Sequence, residues 1–568
     1  MLVIATLPTF FFKKPAPAAR STTVVPIDSV ATSDSVAAPA PAAPLAAQGP
    51  VSGPVAGPAD TVRVTTPLAT YGVSSEGGAL VSLALRTYAS QARDTKGQPA
   101  DLVQPGYPLL AFSVIRGGDT LWVQRWRMEI EPRALEVRDE PRSLVLRGGE
   151  DGVSIELTYT FSPVDYQVGV RGRVEGLGAS GGQLRLALGN GLPNTEADSV
   201  ENFRLGAMIT HRGSTERHDF SSFDAGQTSV FAGPFDWAAV KSKYFVAGVL
   251  AFDTTGGRLS EVTATPRADA SKNPTHARVQ LSMPVSASGE FSYTLYAGPM
   301  EYERLSRLGR DFDDVNPYGW PGFRTLIRFF ATPVRWLLVW MHETLHLHYG
   351  IVLILFGLLV RVLLWPLNQK AMRASTALQA LQPKLQSLQE RYKNDPAQLQ
   401  KEMFALYKEH NVNPLGGCWP MLLPMPVLFA LFFVLGNSIE LRGVPFLWFP
   451  DLSRPDPWYV IPVLSGISMF GLSKVGQMGI QHTPQTKLQA QMMLYMMPVM
   501  ITVFGFQFAS GLNLYWTVSN LASIPQQWMI GRERMKLQKA EVKEFVAIKT
   551  AEPEAKPDTR AERRRRNK

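Results

Sequence analysis

The sequence predicts two folded parts of opposite character, a large all-β domain followed by a polytopic α-helical membrane core. Three observations carry this. Between about 61 and 318 apolar and polar residues alternate between turn residues, the pattern of half-buried antiparallel strands. After Asp314 the apolar residues gather instead into stretches long enough to cross a bilayer. The 568 residues are also too many for one hydrophobic core. Composition removes other classes. Apolar residues make up 45% and the net charge is +9, while 46 Gly and 43 Pro are ordinary apart from one enriched N-terminal tract. A single cysteine, Cys418, rules out an internal disulfide framework and a Cys-rich metal site within one chain.

Taken in order, residues 1–12 (MLVIATLPTFFF) are apolar and run into Lys13 and Lys14. Twelve residues rise only about 18 Å as a helix, against roughly 30 Å of hydrocarbon. Residues 1–14 therefore read as the remnant of a first spanning helix that starts upstream of Met1, with a short interfacial tail as the alternative. A Pro/Ala-rich linker follows at 15–60. In 61–318, VSLALRTYA (81–89), LEVRDEPRSLVLRG (135–148), VSIELTYTF (153–161) and YQVGVRGRV (166–174) alternate apolar and polar residues, which predicts a large β-sandwich. A juxtamembrane amphipathic helix is expected at 319–349. Spanning helices are expected at 350–367, 418–437, 457–475, 491–509 and 510–531, joined by loops at 438–456 and 476–490 and followed by a tail at 532–568.

Charge sets the expected topology. The 368–417 segment carries seven Lys and Arg against four Asp and Glu, and the tail carries 13 basic and 7 acidic residues. The positive-inside rule places 368–417, 476–490 and the tail in the cytoplasm, and 61–318 and 438–456 on the far side. Lys13 and Lys14 disagree, which a missing positively charged start would resolve.

Within 368–417, Leu378, Leu381, Leu385, Leu388 and Tyr392 form a helical seam. Asn394-Asp395-Pro396 then breaks the helix, with Asp395 as cap and Pro396 in the first turn of the next. Leu399, Met403 and Leu406 give that second helix its apolar face. The pair reads as a cytoplasmic helical hairpin, serving its own packing, a partner's docking, or both. It returns to the membrane through a turn at Asn413, Pro414, Leu415, Gly416 and Gly417.

Arg361 lies twelve residues into an eighteen-residue apolar run. A mid-bilayer arginine costs about 2.5–3.5 kcal/mol on insertion scales. Either it snorkels to the cytoplasmic edge or the bundle supplies a wet cavity. No Asp or Glu occurs in the other spanning stretches, but neutral polar groups do: Ser465, Ser468, Gln507, Ser510, Asn513, Ser519 and Asn520. An unpaired cation among such groups suits a site for transient anionic ligands or substrate carboxylates.

NPLGGCWPMLLPMP (413–426) and SGLNLYWTVSN (510–520), within a continuous match from about Asp311 to Met535, resemble the YidC/Oxa/Alb family of membrane protein insertases. The resemblance implies a periplasmic β-supersandwich on a polytopic helical insertase core in the bacterial inner membrane, with no enzymatic activity and no cofactor. It implies a hydrophilic groove, open to cytoplasm and lipid, that matches the family's arginine to Arg361 and its substrate-contacting aromatic to Tyr515 or Trp516. Its capture hairpin matches 370–412. A family threonine one turn before the arginine is Gly357 here. Implied partners are nascent membrane proteins with small polar or acidic tails, the Sec translocon, membrane lipids, and the ribosome through the basic tail. DNA is not among them.

Competing signals are weaker. His342-Glu343-Thr344-Leu345-His346 is a literal HExxH, but no convincing third carboxylate ligand follows. A transporter would need repeats and paired ion-binding groups near the midplane. A sugar site on the β domain would rest on fold analogy alone.

Overall fold

The computed structural model describes residues 60–251, 257–267, 273–316, 323–410, 425–480 and 484–551. The expected first helix at 1–14, the linker as far as 59, the turn at 413–417 and the end of the tail lie outside the described residues.

The alternating sequence folds as two large sheets. Val153–Phe161 shows why: Val153, Ile155, Leu157, Tyr159 and Phe161 are buried on one face while Ser154 and Glu156 are exposed on the other. It pairs antiparallel with Arg142–Glu150 and Gln167–Glu175, setting Leu157 opposite Leu146 and Gly172. The nine-stranded sheet runs Thr215–Asp219, Ala207–His211, Trp237–Lys241, Phe245–Leu250, Glu290–Pro299, Gln167–Glu175, Val153–Phe161, Arg142–Glu150, Glu129–Glu131. An eleven-stranded sheet, from Ser229–Phe235 to Ala134–Glu136, packs against it. The stretch at 135–148 divides between the sheets, because Asp139-Glu140-Pro141 interrupts it between Ala134–Glu136 and Arg142–Glu150. Between the layers Tyr159 donates its hydroxyl to the Gly78 carbonyl at 3.0 Å, and the Tyr71 and Phe161 rings lie 5.0 Å apart.

Eight helices of the second part position the site. They are α1 (Arg324–Leu345), α2 (Tyr349–Ala380), α3 (Gln382–Arg391), α4 (Pro396–Glu409), α5 (Met425–Asn437) and α6 (Val460–Gly476). Then come α7 (Pro484–Gln491, through a π turn at Met492–Met496 into Met497–Gly505) and α8 (Ser510–Ala551). In α1, Ile327, Ala331, Val334, Leu338 and Met341 recur at helical spacing and are buried, while Leu326, Phe329, Trp336 and Trp340 face outward. Arg328 of α1 donates to Asp313 at 2.6 Å and Asp314 at 3.4 Å, tying the helix to the end of the β domain.

Helix ends differ from the sequence expectation. α2 does not stop at Leu367 but continues to Ala380, and α8 continues past 531 to Ala551. Helical periodicity persists after the chain leaves apolar surroundings, so hydropathy marks the depth of the membrane rather than the end of the helix. The seam from Leu378 to Tyr392 crosses a break at Leu381, where Pro383 restarts the helix as α3. Among the described residues two helices are long and apolar enough to cross a membrane by themselves, Tyr349–Gln369 and Lys487–Gly505. At 17 residues α6 is shorter, and α8 is diluted by its polar side chains.

Candidate functional site

Arg361 stands where α2 packs on α8. One turn earlier the Phe356 and Tyr515 rings lie 5.9 Å apart. A Cβ on Gly357 would sit 3.4 Å from each of Tyr515, Val518 and Ser519, an ordinary van der Waals contact, so this turn of α2 faces α8 directly with room for a methyl group and no more. One turn later Gln526 donates to the Trp365 carbonyl at 3.1 Å. Arg361 itself is half-buried, and its Nε is buried without a hydrogen-bond partner among the described residues. Val362 and Leu363 beside it are exposed, as lipid-facing residues should be.

The other side of α8 packs on α6 through polar groups. Asn520 donates to Ser468 Oγ at 3.1 Å, and that hydroxyl donates to the Ser465 carbonyl at 2.8 Å. Ser465, Ser468, Ser519 and Asn520 are all buried, and Ser465 Oγ has no partner among the described residues. Hydroxyl and amide contacts of this kind hold membrane helices together, and unfilled ones leave hydrogen-bonding capacity for a guest.

The remaining expected groove residues go elsewhere. Asn513 donates to the Gly505 and Phe508 carbonyls at 2.9 and 3.4 Å, closing the corner between α7 and α8. Ser510 donates to the Arg454 carbonyl at 2.7 Å, and Gln507 is exposed in the turn. The structure does not bring these three to Arg361. Trp516 is half-buried.

Sequence reasoning missed Thr517, Ser523, Gln526 and Gln527. Thr517 and Ser523 donate to the Asn513 and Ser519 carbonyls, and the Gln527 side-chain oxygen is buried without a partner among the described residues. The signal was present: Asn520, Ser523 and Gln527 repeat at helical spacing along one face.

The hairpin forms as α3 and α4. Asp395 accepts from the Gln398 amide at 3.0 Å with Pro396 next, the cap and first turn expected. Leu381 and Leu385 are buried, Leu388, Tyr392, Leu399, Met403 and Leu406 are half-buried, and the Leu378 side chain lies outside the described residues. An open apolar groove lies along α4 between Pro396, Leu399, Met403, Phe404 and Tyr407.

The HExxH residues do not form the helical pair that the motif requires. α1 ends at Leu345 and His346 turns left-handed, so the two histidines do not share a helical face. His342 Nδ1 is 2.7 Å from the Leu347 carbonyl, and its ring stacks on Tyr349 at 3.9 Å. No cluster of three potential ligands occurs among the described residues.

A second polar site joins the two halves of the molecule. Arg442 Nε donates to both Glu196 oxygens at 2.9 and 3.0 Å, Nη1 to the Ala89 carbonyl at 2.9 Å and Nη2 to the Thr195 carbonyl at 3.0 Å. Burial pushes the Glu196 carboxyl above its ordinary range, and Arg442, the Thr195 hydroxyl and Lys243 pull against it.

A two-layer β domain on helices that bury hydroxyls and expose leucine defines the class, a membrane-embedded protein with a large extramembrane β domain. The YidC periplasmic domain family matches residues 61–337, and the 60Kd inner membrane protein family matches 340–539. The membrane protein insertase YidC of Syntrophus aciditrophicus is 30% identical over 520 residues, covering 87% of this chain and 92% of that one. That of Chlorobaculum tepidum is 30% identical over 538 residues, covering 88% of each. A crystal structure of an active YidC insertase with the first transmembrane domain resolved is similar at a TM-score of 0.32 and 15% identity, covering 84% of this chain and 95% of that chain. The sequence matches alone carry the assignment. The chain belongs to the YidC family of inner membrane protein insertases, which are insertion factors and not enzymes.

Proposed function

We propose that this chain receives the polar segments of nascent membrane proteins in a cytoplasm-facing groove around Arg361 and releases their apolar helices sideways into lipid, alone or beside the Sec translocon. The observation that carries the reading is the half-buried Arg361 guanidinium, whose Nε has no hydrogen-bond partner among the described residues, against α8, which with α6 behind it buries Ser465, Ser468, Ser519 and Asn520. A client carboxylate replaces part of the hydration that the cation has lost. Because the guanidinium stays partly exposed, the attraction remains weak enough for release, which a dry ion pair would prevent. The α3–α4 hairpin, with its apolar groove, makes the first capture. The basic tail contacts ribosomal phosphate and anionic lipid. The β domain lies in the periplasm and the C-terminus in the cytoplasm.

The test is insertion of matched single-span clients with acidic, neutral and basic tails into reconstituted vesicles. Arg361→Lys is expected to keep much of the activity, since a point charge suffices for a transient contact. Arg361→Ala loses most activity on acidic tails and less on neutral ones, and Arg361→Glu is worst. Equal rates for Arg361→Ala and the unaltered chain on the acidic-tail client would sink this reading.

A further inference from the structure

The loop between α5 and α6, residues 438–459, is anchored at both ends of its path. Its upper end belongs to the β domain. Ile439 joins the β-domain core, and the Arg442 and Glu196 side chains are only 4% and 7% exposed. The Arg442 guanidinium also lies 5.4 Å from the Phe245 ring, so it is seated inside the domain rather than on it. Leu441 between them faces the helical core, and the lower end belongs to the bundle, where Phe449 and Leu452 are buried.

That lower end holds the starts of two helices. The first amides of a helix have no partners within it. Here the Leu452 carbonyl accepts from the Gly511 amide at 2.9 Å, and the Arg454 carbonyl accepts from the Ser510 amide at 2.7 Å, capping α8. Asp456 accepts from the Ile461 amide at 2.8 Å and the Trp458 amide at 3.0 Å, capping α6 and placing a negative charge at its positive end. α6 and α8 are the helices joined by the Ser468–Asn520 hydrogen bond.

We propose that Arg442 is a positioning residue: it bolts the 438–459 loop into the β domain, and through the Leu452, Arg454 and Asp456 caps the β domain fixes the depth and register of α8, which packs on the Arg361 helix, and of α6 behind it. The consequence for insertion rests on the groove reading above. The four hydrogen bonds of this seat explain why this position carries arginine. Lysine keeps the charge opposite Glu196 but cannot reach two backbone carbonyls at once with a planar fork. The β domain is then a brace for the groove as well as a body outside the membrane.

The experiment uses the full chain in vesicles with three variants: Arg442→Lys, Arg442→Ala, and Arg442→Met combined with Glu196→Gln. The last removes both charges and keeps side-chain length, so no buried carboxylate is left alone. Hydrogen exchange at the Ser510 and Gly511 amides is read without client. The double variant is expected to speed it about tenfold, with exchange in Val153–Phe161 unchanged, because local opening and global unfolding are separable. Arg442→Lys is expected to fall between the double variant and the unaltered chain, and it decides the matter if either other variant does not fold. With an acidic-tail client, the maximal insertion rate is expected to fall about threefold at an unchanged half-saturating concentration, since positioning acts on passage rather than on capture. Unchanged exchange at Ser510 and Gly511 overturns the bolt. Faster exchange with unchanged insertion overturns its role in insertion. Equal insertion of the acidic-tail client by Arg361→Ala and the unaltered chain counts against the groove alone, because the exchange measurement involves no client.

Discussion

The β domain and the helical core solve burial in opposite ways. In the β domain the large apolar side chains go inside, with Trp237, Tyr71, Tyr159, Phe112 and Phe161 among the fully buried. In the helices the exposed side chains include Val362, Leu363, Ile467, Val499 and Leu521, while Ser465, Ser468, Asn513, Ser519, Asn520 and Gln526 are buried. Water punishes the first arrangement reversed, and hydrocarbon punishes the second reversed. The contrast teaches what each surface faces. It also explains why polar chemistry sits in the middle of the helices. With lipid outside, the interior is the place where a hydroxyl, an amide or a cation can be kept near water.

The largest effect expected from breaking this contrast comes from one substitution made in both regions. Leu157→Ala opens a cavity between fully buried neighbours in the β domain and should cost about 2–5 kcal/mol. Leu363→Ala, on an outward face of α2, should change stability by no more than about 0.5 kcal/mol, since lipid refills the space. Denaturant unfolding of the two variants in the same vesicles checks it. A comparable loss at Leu363 would mean that protein, not lipid, covers that face.

A smaller effect sharpens the view of the interior. Asn520→Leu removes the bond to Ser468 and dries the α6–α8 contact. Stability is expected to shift by only about 1 kcal/mol, because membrane hydrogen bonds average about 0.6 kcal/mol in double-mutant cycles. Insertion of acidic-tail clients should nevertheless fall severalfold. Loss of stability without loss of insertion would make Asn520 helix glue and no more.

These particulars also show what the sequence could and could not disclose. Strands such as Val153–Phe161 were legible because a period of two has a single meaning beside turn residues. The Asp395 cap was legible because its partner, the Gln398 amide, is three residues away. Residue type alone misled at Ser510 and Asn513. Both are polar in a spanning stretch, yet each is used at a helix corner, and only the fold shows which carbonyl lies near. The Arg442–Glu196 seat left no trace, since its partners are 246 residues apart and each resembles an ordinary surface charge. The Arg361 surroundings were half legible. The cation and the hydroxyls could be read, but that Gly357 faces Tyr515, Val518 and Ser519 of α8 could not.

The smallest effect expected separates the two regions by pH. His218 and His276 lie in the β domain. Burial lowers the pKa of both, against an opposing pull from Glu216 and Asp219 on His218. His276 lies between the Phe203 ring at 4.7 Å and the Thr275 hydroxyl at 2.8 Å. A base with a lowered folded pKa binds fewer protons when folded than when unfolded. Stability is therefore full above the unfolded value near 6.5 and is lost as pH falls through it towards the folded value. The two spans at Tyr349–Gln369 and Lys487–Gly505 contain no Asp, Glu or His, so no side chain within them titrates in that range. Between pH 7.5 and 5.5 the β domain's unfolding midpoint is expected to fall by about 1–4 °C. Hydrogen exchange in those two spans should be unmoved once corrected for the intrinsic pH dependence of exchange. His276→Gln should remove part of the slope, and combining it with His218→Gln should remove most of it. A residual slope of the opposite sign in the double variant, stability rising as pH falls, would come from carboxylates such as Glu196, whose burial raises its pKa, while a slope of unchanged sign and size would show that neither histidine is its source. The direction of the residual slope therefore identifies its source.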